Sequence, residues 1–293
     1  MSKIRQNITQ EQFKEFCESS YWYHTLDLGD GILTDGMYDL RPYLDLHEFP
    51  DSLEGKSVLD VGCSDGFYSF DFERRGADSV TSLDIAHFDG TPHVDPSPAK
   101  RQDYIDKYSR ELDEYARYRQ IFVMLGLKGA HKFRVLIDYF DSRVNFQNHS
   151  IYELEDLEKK FDFVFCGALM EHLKDPLKAL EQLAAVTGET CVITLSGALP
   201  SAQIPYDSLR MKLARISLRL LGVRQAFSVT DRDEMLRYVG NQAGGTFYYI
   251  HPAAFKQMAL ASGFKNVRIG NAFDILDQRY GNLQHFVVFH CQV

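Results

Sequence analysis

The stretch Ser57-Val-Leu-Asp-Val-Gly-Cys-Ser-Asp-Gly66, followed by the acidic end Ser82-Leu-Asp84, constrains this chain more than any other feature. Val58, Leu59 and Val61 make a short apolar strand, Gly62 to Gly66 a glycine-bearing turn, and Phe67 to Arg75 runs at helical spacing to a stop at Gly76. Strand, turn and helix in that order bring backbone close to a ligand, and the helix N-terminus adds N–H donors. An acid at the next strand end, Asp84, is placed to accept both hydroxyls of a ribose. A dinucleotide fingerprint needs glycine at the first, third and sixth positions of the turn. Counting from Gly62, Ser64 and Phe67 hold the latter two, so close approach to a pyrophosphate is not provided. What remains is a nucleotide turn with acids at Asp60 and Asp84.

At 293 residues the chain suits one elaborated domain, and no apolar run approaches the ~20 residues that cross a bilayer. Its start, Met-Ser-Lys-Ile-Arg-Gln-Asn, is polar and leads into a capped helix, so no export signal and a cytoplasmic setting are expected. A net charge of −9 disfavours a nucleic-acid partner, because binding a polyanion rests on Lys and Arg. The five cysteines show no paired metal spacing and read as reduced, buried thiols. Cys63 and Cys166 serve better as small apolar side chains than as nucleophiles.

Thr9 opens a helix to about Ser20, and Tyr21-Trp-Tyr-His-Thr25 follows as an aromatic cluster. Residues 1–55 form an extension over the ligand mouth in which Trp22, Tyr23, Tyr38 and Arg41 are the candidates to line a substrate pocket. The loop from His87 to Pro96 carries histidines and aspartates in no metal-ligand spacing, and no metal is expected. Helical segments then fill an insertion at about 86–140, with Ser142 to Phe146 the next strand. Phe161 to Cys166 is of buried-strand type, and Gly167 to His172 falls at its carboxyl end, where ligands bind in open α/β sheets. Lys174-Asp-Pro176 starts a helix with Leu177, Leu180 and Leu183 as its apolar stripe, and Thr190 to Leu195 is another strand. A second insertion, about 197–247, holds a basic amphipathic helix at 208–224, read first as a lid with snorkelling arginines. An aromatic run, a helix to Ser262 capped by Gly263, and strands at Asn266–Ile269 and His285–His290 complete the chain.

The turn and its two acids resemble the motif of class I S-adenosylmethionine (SAM) methyltransferases. Trp22-Tyr-His-Thr, Phe165-Cys-Gly-Ala-Leu-Met-Glu-His-Leu-Lys-Asp-Pro176 and Tyr249-Ile-His-Pro252 through Ser262-Gly-Phe264 are similar to the family of tRNA wobble-uridine 5-oxyacetate-forming enzymes and their bacterial relatives. The resemblance implies an α/β, Rossmann-like seven-stranded sheet with helices on both faces, built on residues 56–293, its final strand a reversed edge strand. It implies SAM as cofactor, leaving S-adenosylhomocysteine (SAH). Asp60, Gly62, Cys63, Ser64 and Gly66 would line the methionine part, Asp84 and Ile85 the ribose side, Ser150 and Ile151 the adenine, and Gly167 the methyl side. The tRNA enzymes use a carboxylated SAM, but Glu171 stands where they place a tyrosine and would repel that carboxylate, so plain SAM is expected. His172 is the first candidate base, with Glu171 to orient it or bind an acceptor amine and His24 as the second candidate. The expected reaction is methylation of O, N or C on a small molecule. A tRNA-modifying enzyme and a non-catalytic SAM-binding subunit are the alternatives, and a homodimer is compatible with each.

Overall fold

The computed structural model describes residues 9–19, 22–84, 132–196, 236–243, 246–278, 281 and 283–293. The described residues begin with helix α1 (Gln10–Ser19) and a short parallel pair, β1 (Trp22–His24) and β2 (Gly36–Tyr38), followed by a 3-10 helix at Arg41–His47. Strand β3 (Ser57–Val61), helix α2 (Phe67–Arg74) and strand β4 (Ser79–Asp84) supply the strand, turn and helix expected. Helix α3 (Lys132–Phe140) leads to β5 (Asn145–Asn148), and a 3-10 helix at Ile151–Leu157 to β6 (Phe161–Gly167). Helix α4 (Pro176–Val186), β7 (Thr187–Ser196), the hairpin β8 (Leu236–Ala243) and β9 (Thr246–Ile250), helix α5 (Pro252–Ala261), β10 (Asn266–Leu276) and β11 (Leu283–Gln292) complete the order.

Seven of these strands form one sheet in the order β5-β4-β3-β6-β7-β11-β10. The five from β5 to β7 pair in parallel, whereas β11 runs antiparallel to both β7 and β10. Successive side chains of a strand leave opposite faces. Val58, Val80, Phe163, Phe165, Val192 and Val288 therefore pack on one side, with Leu59, Leu83, Val164, Ile193 and Phe289 on the other. Covering both faces turns the central strands into continuous apolar runs. The first face carries α1, β1, β2, α2 and α3 through Phe13, Trp22, Tyr38, Phe72 and Phe133, and the second carries α4 and α5 through Leu180, Leu183 and Phe255.

Asp175 caps α4 by accepting the Lys178 N–H at 3.1 Å, and Pro176 supplies a preset φ at the first turn. Leu177 departs from the expected stripe. It is 45% exposed, because the buried row of α4 runs Pro176, Ala179, Leu180, Leu183 at spacings of three and four. The final strand is reversed as expected but does not lie at the edge. Phe286 to Phe289 are all buried because β7 and β10 flank β11, and β10 takes the edge with its more exposed pattern. The close of the second insertion and the aromatic run after it form the antiparallel β8–β9 hairpin, whose β-branched and aromatic residues at Thr246–Ile250 favour a strand. The loop at 87–96, the helical stretch at 99–126 and the basic segment at 208–224 lie outside the described residues.

Trp22 is core, not pocket lining. It is 0% exposed, its Nε1–H donates to the Cys17 carbonyl at 2.8 Å, and its ring meets Phe16 edge-on. Trp22→Ala is expected to cost about 3 to 5 kcal/mol in urea unfolding followed by circular dichroism. A loss under about 1 kcal/mol would contradict this placement.

Candidate active site

The turn after β3 is stitched to the end of β4. The N–H groups of Gly62 and Cys63 donate to the Leu83 carbonyl at 2.8 and 3.1 Å, and the Ser64 N–H donates to Asp84 Oδ2 at 2.7 Å. Gly62, Ser64 and Gly66 all have positive φ, at 79°, 50° and 86°. Serine tolerates that region at a small cost, which explains why a glycine is the usual residue in the middle of such turns. A Cβ on Gly62 would come within 3.0 Å of Leu169, and one on Gly66 within 2.0 Å of the Phe133 ring. The bare turn, the ring of Phe133 and the segment after β6 thus close on one another at the carboxyl edge of the sheet.

Asp84 is half-buried at that edge, as are Ser64 and Gly62. Asp60 is not where the sequence reading put it. It is 1% exposed beneath the turn, with the Ser69 hydroxyl donating to it at 2.5 Å and Ser82 donating in turn to Ser69 at 2.8 Å. Burial pushes the Asp60 carboxyl up to about 7, against the opposing pull of the Ser69 hydrogen bond and of His24. Because the folded value lies above the ordinary unfolded one, Asp60 favours folding most below about pH 4 and this contribution is lost as pH rises through about 7. Asp60→Asn is accordingly expected to flatten the loss of stability between pH 5 and pH 8, by up to roughly 2 to 3 kcal/mol in paired urea titrations. Parallel curves for the two proteins would contradict the assignment.

Asp65, which the sequence reading passed over, holds strand β1. Its Oδ2 accepts the backbone N–H groups of Tyr23 and His24 at 3.0 and 2.9 Å, and its Oδ1 lies 2.5 Å from His24 Nδ1. Burial would raise its carboxyl, but the charge and hydrogen bonds of His24 overcome that and hold it below the usual range. The only hint in the sequence was an acid inside the turn, and no local spacing pairs it with a residue 41 positions earlier.

The segment after β6 divides. His172 is half-buried at the end of the Met170–His172 turn, with its N–H donating to the Leu169 carbonyl at 2.9 Å. Glu171 is turned inward, its Oε2 buried with no hydrogen-bond partner among the described residues. It is 2% exposed, and its Oε1 accepts from the Ser196 N–H at 2.9 Å and from the Ser196 hydroxyl. Gly167 has no room for a side chain, since a Cβ would meet the Phe165 ring at 2.8 Å. Ser150 caps the following 3-10 helix by accepting the Tyr152 N–H at 3.2 Å, while Ile151 packs in the second core. Tyr38 is core at 6% exposure, and Tyr23 and Arg41 are half-buried. The Arg41 guanidinium is committed to Asp39 through two 2.8 Å hydrogen bonds, which hold the Asp39 carboxyl low. All five cysteines are free and buried, and burial raises the Cys63 and Cys166 thiols, as their reading as unreactive side chains requires. Ile85 lies outside the described residues.

The sheet order with one reversed strand, and a bare turn clasped by an acid at the carboxyl edge, define an α/β domain that holds a nucleoside-bearing cofactor. Residues 38–269 match a family model described as a methyltransferase domain, and the chain belongs to that family. Its sheet has the class I SAM-dependent methyltransferase fold. The chain is 24% identical over 144 residues to a tRNA U34 carboxymethyltransferase of Campylobacter hominis, a match covering 49% of this chain and 34% of that protein. It is 24% identical over 231 residues to a ubiquinone biosynthesis O-methyltransferase of Psychrobacter arcticus, covering 78% of this chain and 66% of that protein. The chain thus spans about a third to two thirds of the curated relatives it matches. Among solved structures, the N-terminal domain of EvdMO1 with SAH bound superposes with a TM-score of 0.57 at 11% identity, covering 99% of each chain, and shows the same fold. The residues present fit SAM. The Asp84 carboxylate, half-buried at the strand end, has the acceptor chemistry that ribose hydroxyls need. No helix of the described residues is long and apolar enough to cross a membrane.

Proposed function

We propose that the protein methylates O, N or C of a small organic acceptor, in the cytoplasm, using plain SAM. The observation that carries the small-molecule reading is the wall nearest the turn. Strand β1 brings Tyr23 and His24 against it, and the one cation expected there, Arg41, is already matched by Asp39. A site that grips an RNA backbone would need unmatched cations to neutralise phosphates. The tRNA relatives align with about half of this chain, whereas the ubiquinone O-methyltransferase relative aligns with 78% of it, which favours the small acceptor further.

In this reading Asp84 holds the ribose, with the turn at 62–66 along the amino-acid part. The segment Gly167–His172 lies on the methyl side. Methyl transfer forms a bond between the acceptor atom and the methyl carbon while the carbon–sulfur bond breaks with its electrons passing to sulfur, which is the chemistry bound SAM supplies. The chain contributes alignment of acceptor and methyl in a dry pocket, and a base where the acceptor carries a proton. His172 and His24 are the candidates for that base. The test is mass spectrometry of reactions containing SAM and, in turn, catechol, D-fucose and a tRNA transcript. One added methyl on a small acceptor supports the proposal, and methyl transfer confined to the tRNA overturns it.

A further inference from the structure

One carboxylate within the cofactor turn does three things for a single neighbouring residue. Asp65 binds the backbone of His24, the backbone of the residue before it, and the His24 ring, all from within Cys63-Ser64-Asp65-Gly66. The ring is further confined by Phe67, stacked at 5.2 Å, and by Tyr23 and Tyr68 edge-on at 4.8 and 5.7 Å. Phe67 is the first residue of α2, so the imidazole lies against the root of the turn itself. An ionised carboxylate can only accept, and the partner of Asp65 Oδ1 must therefore be an Nδ1–H. In the neutral ring this places the lone pair on Nε2, which makes no hydrogen bond to any described residue. Anchoring β1 alone would not need the ring, since the two backbone N–H groups already tie the strand to Oδ2.

We infer that His24 is the base that takes the acceptor's proton and that Asp65 is its positioning residue, so the cofactor turn itself carries the device that orients the base. This rests on the proposed methyl transfer and confines it to acceptors bearing an O–H or N–H. As the acceptor atom bonds to the methyl carbon, its proton passes to the Nε2 lone pair. The imidazolium so formed keeps its Nδ1–H bond to Asp65 and releases the proton to solvent after product leaves. Asp60 beneath the turn, Lys132 on α3 and the Tyr68 hydroxyl are the other ionisable groups around the pair.

Three variants and one spectrum test this. His24→Asn keeps a side-chain N–H near the Nδ1 position, and with it the bond to Asp65, while deleting Nε2. Turnover against the same acceptor panel should fall by about 100-fold or more, with the SAH dissociation constant within about threefold. His24→Ala should be partly rescued by added imidazole, which a structural role would not allow. Asp65→Asn can offer its own N–H to Nδ1 and so drive the ring into the opposite tautomer, giving a similar loss of turnover. Should that variant fold poorly, His24→Asn decides alone. In the unliganded protein, two-bond nitrogen–proton NMR of 15N-histidine-labelled chain should show His24 protonated at Nδ1. A proton on Nε2 in the native protein, or a His24→Asn variant that turns over within about threefold of native, would overturn the inference. Failure of the underlying methyl transfer reads differently, as native protein that does not bind SAH.

Discussion

Gly66→Ala should abolish measurable SAH binding and destabilise the protein by about 2 to 4 kcal/mol. Two costs add at this position. A non-glycine residue at φ 86° is strained, by roughly 1 kcal/mol, and the new Cβ would sit 2.0 Å from the edge of the Phe133 ring. Phe133 is 0% exposed in the core of one sheet face, packed against Phe70 at 5.2 Å and Phe146 at 5.4 Å, so it has nowhere to retreat. The turn must move instead, and it is the surface on which we propose that the cofactor lies. Gly29→Ala is the control: φ is 81° there too, but nothing lies within 4 Å of the added atom, so only the strain of about 1 kcal/mol should appear. In a Phe133→Ala background the Gly66→Ala penalty should shrink, and the coupling measured by the double-mutant cycle should reach at least about 1 kcal/mol. Additive penalties would mean that the ring and the turn do not meet as described.

Asp84→Ala is the second large effect, and it should act on the cofactor more than on the fold. The carboxylate accepts the Ser64 N–H at 2.7 Å across the turn and stands at the strand end where we propose that the ribose binds. Hydrogen bonds to a charged group are worth roughly 1.5 to 3 kcal/mol each, so losing those to the ribose should raise the SAH dissociation constant by about 100-fold or more. Asp84→Asn keeps an acceptor for Ser64 but loses the charge, and should fall between, near tenfold. A dissociation constant for Asp84→Ala within threefold of native would show that the ribose is held elsewhere.

The frame of this site was legible in the sequence because it is local. Strand, turn and helix at 57–75 follow from apolar spacing and two glycines, and Asp84 is the acid at the next strand end. What the sequence hid was direction. Asp60 and Asp84 are both acids at strand ends, yet Asp60 points beneath the turn to Ser69, while Asp84 clasps the turn from the open edge. Glu171 and His172 are neighbours, but one turns in to Ser196 and the other stays half-buried. Trp22 and Tyr38 looked like pocket aromatics because nothing in their spacing tells packing from lining, and the sheet face they cover is set by strands far along the chain. Asp65 is the clearest case. Its role depends on His24 arriving from the extension, a contact across 41 residues that no period or motif encodes. The edge strand was misplaced for a related reason. A reversed strand at the end of the chain inserts between β7 and β10, and only its continuous burial from Phe286 to Phe289 betrays that it has neighbours on both sides.

Whether the turn at 62–66 is a SAM site is answered by calorimetric titration of the purified native protein with SAH. Saturable binding of one SAH per chain is expected, weakened by about 100-fold in Asp84→Ala. No binding of SAH by protein with a native circular dichroism spectrum would contradict it.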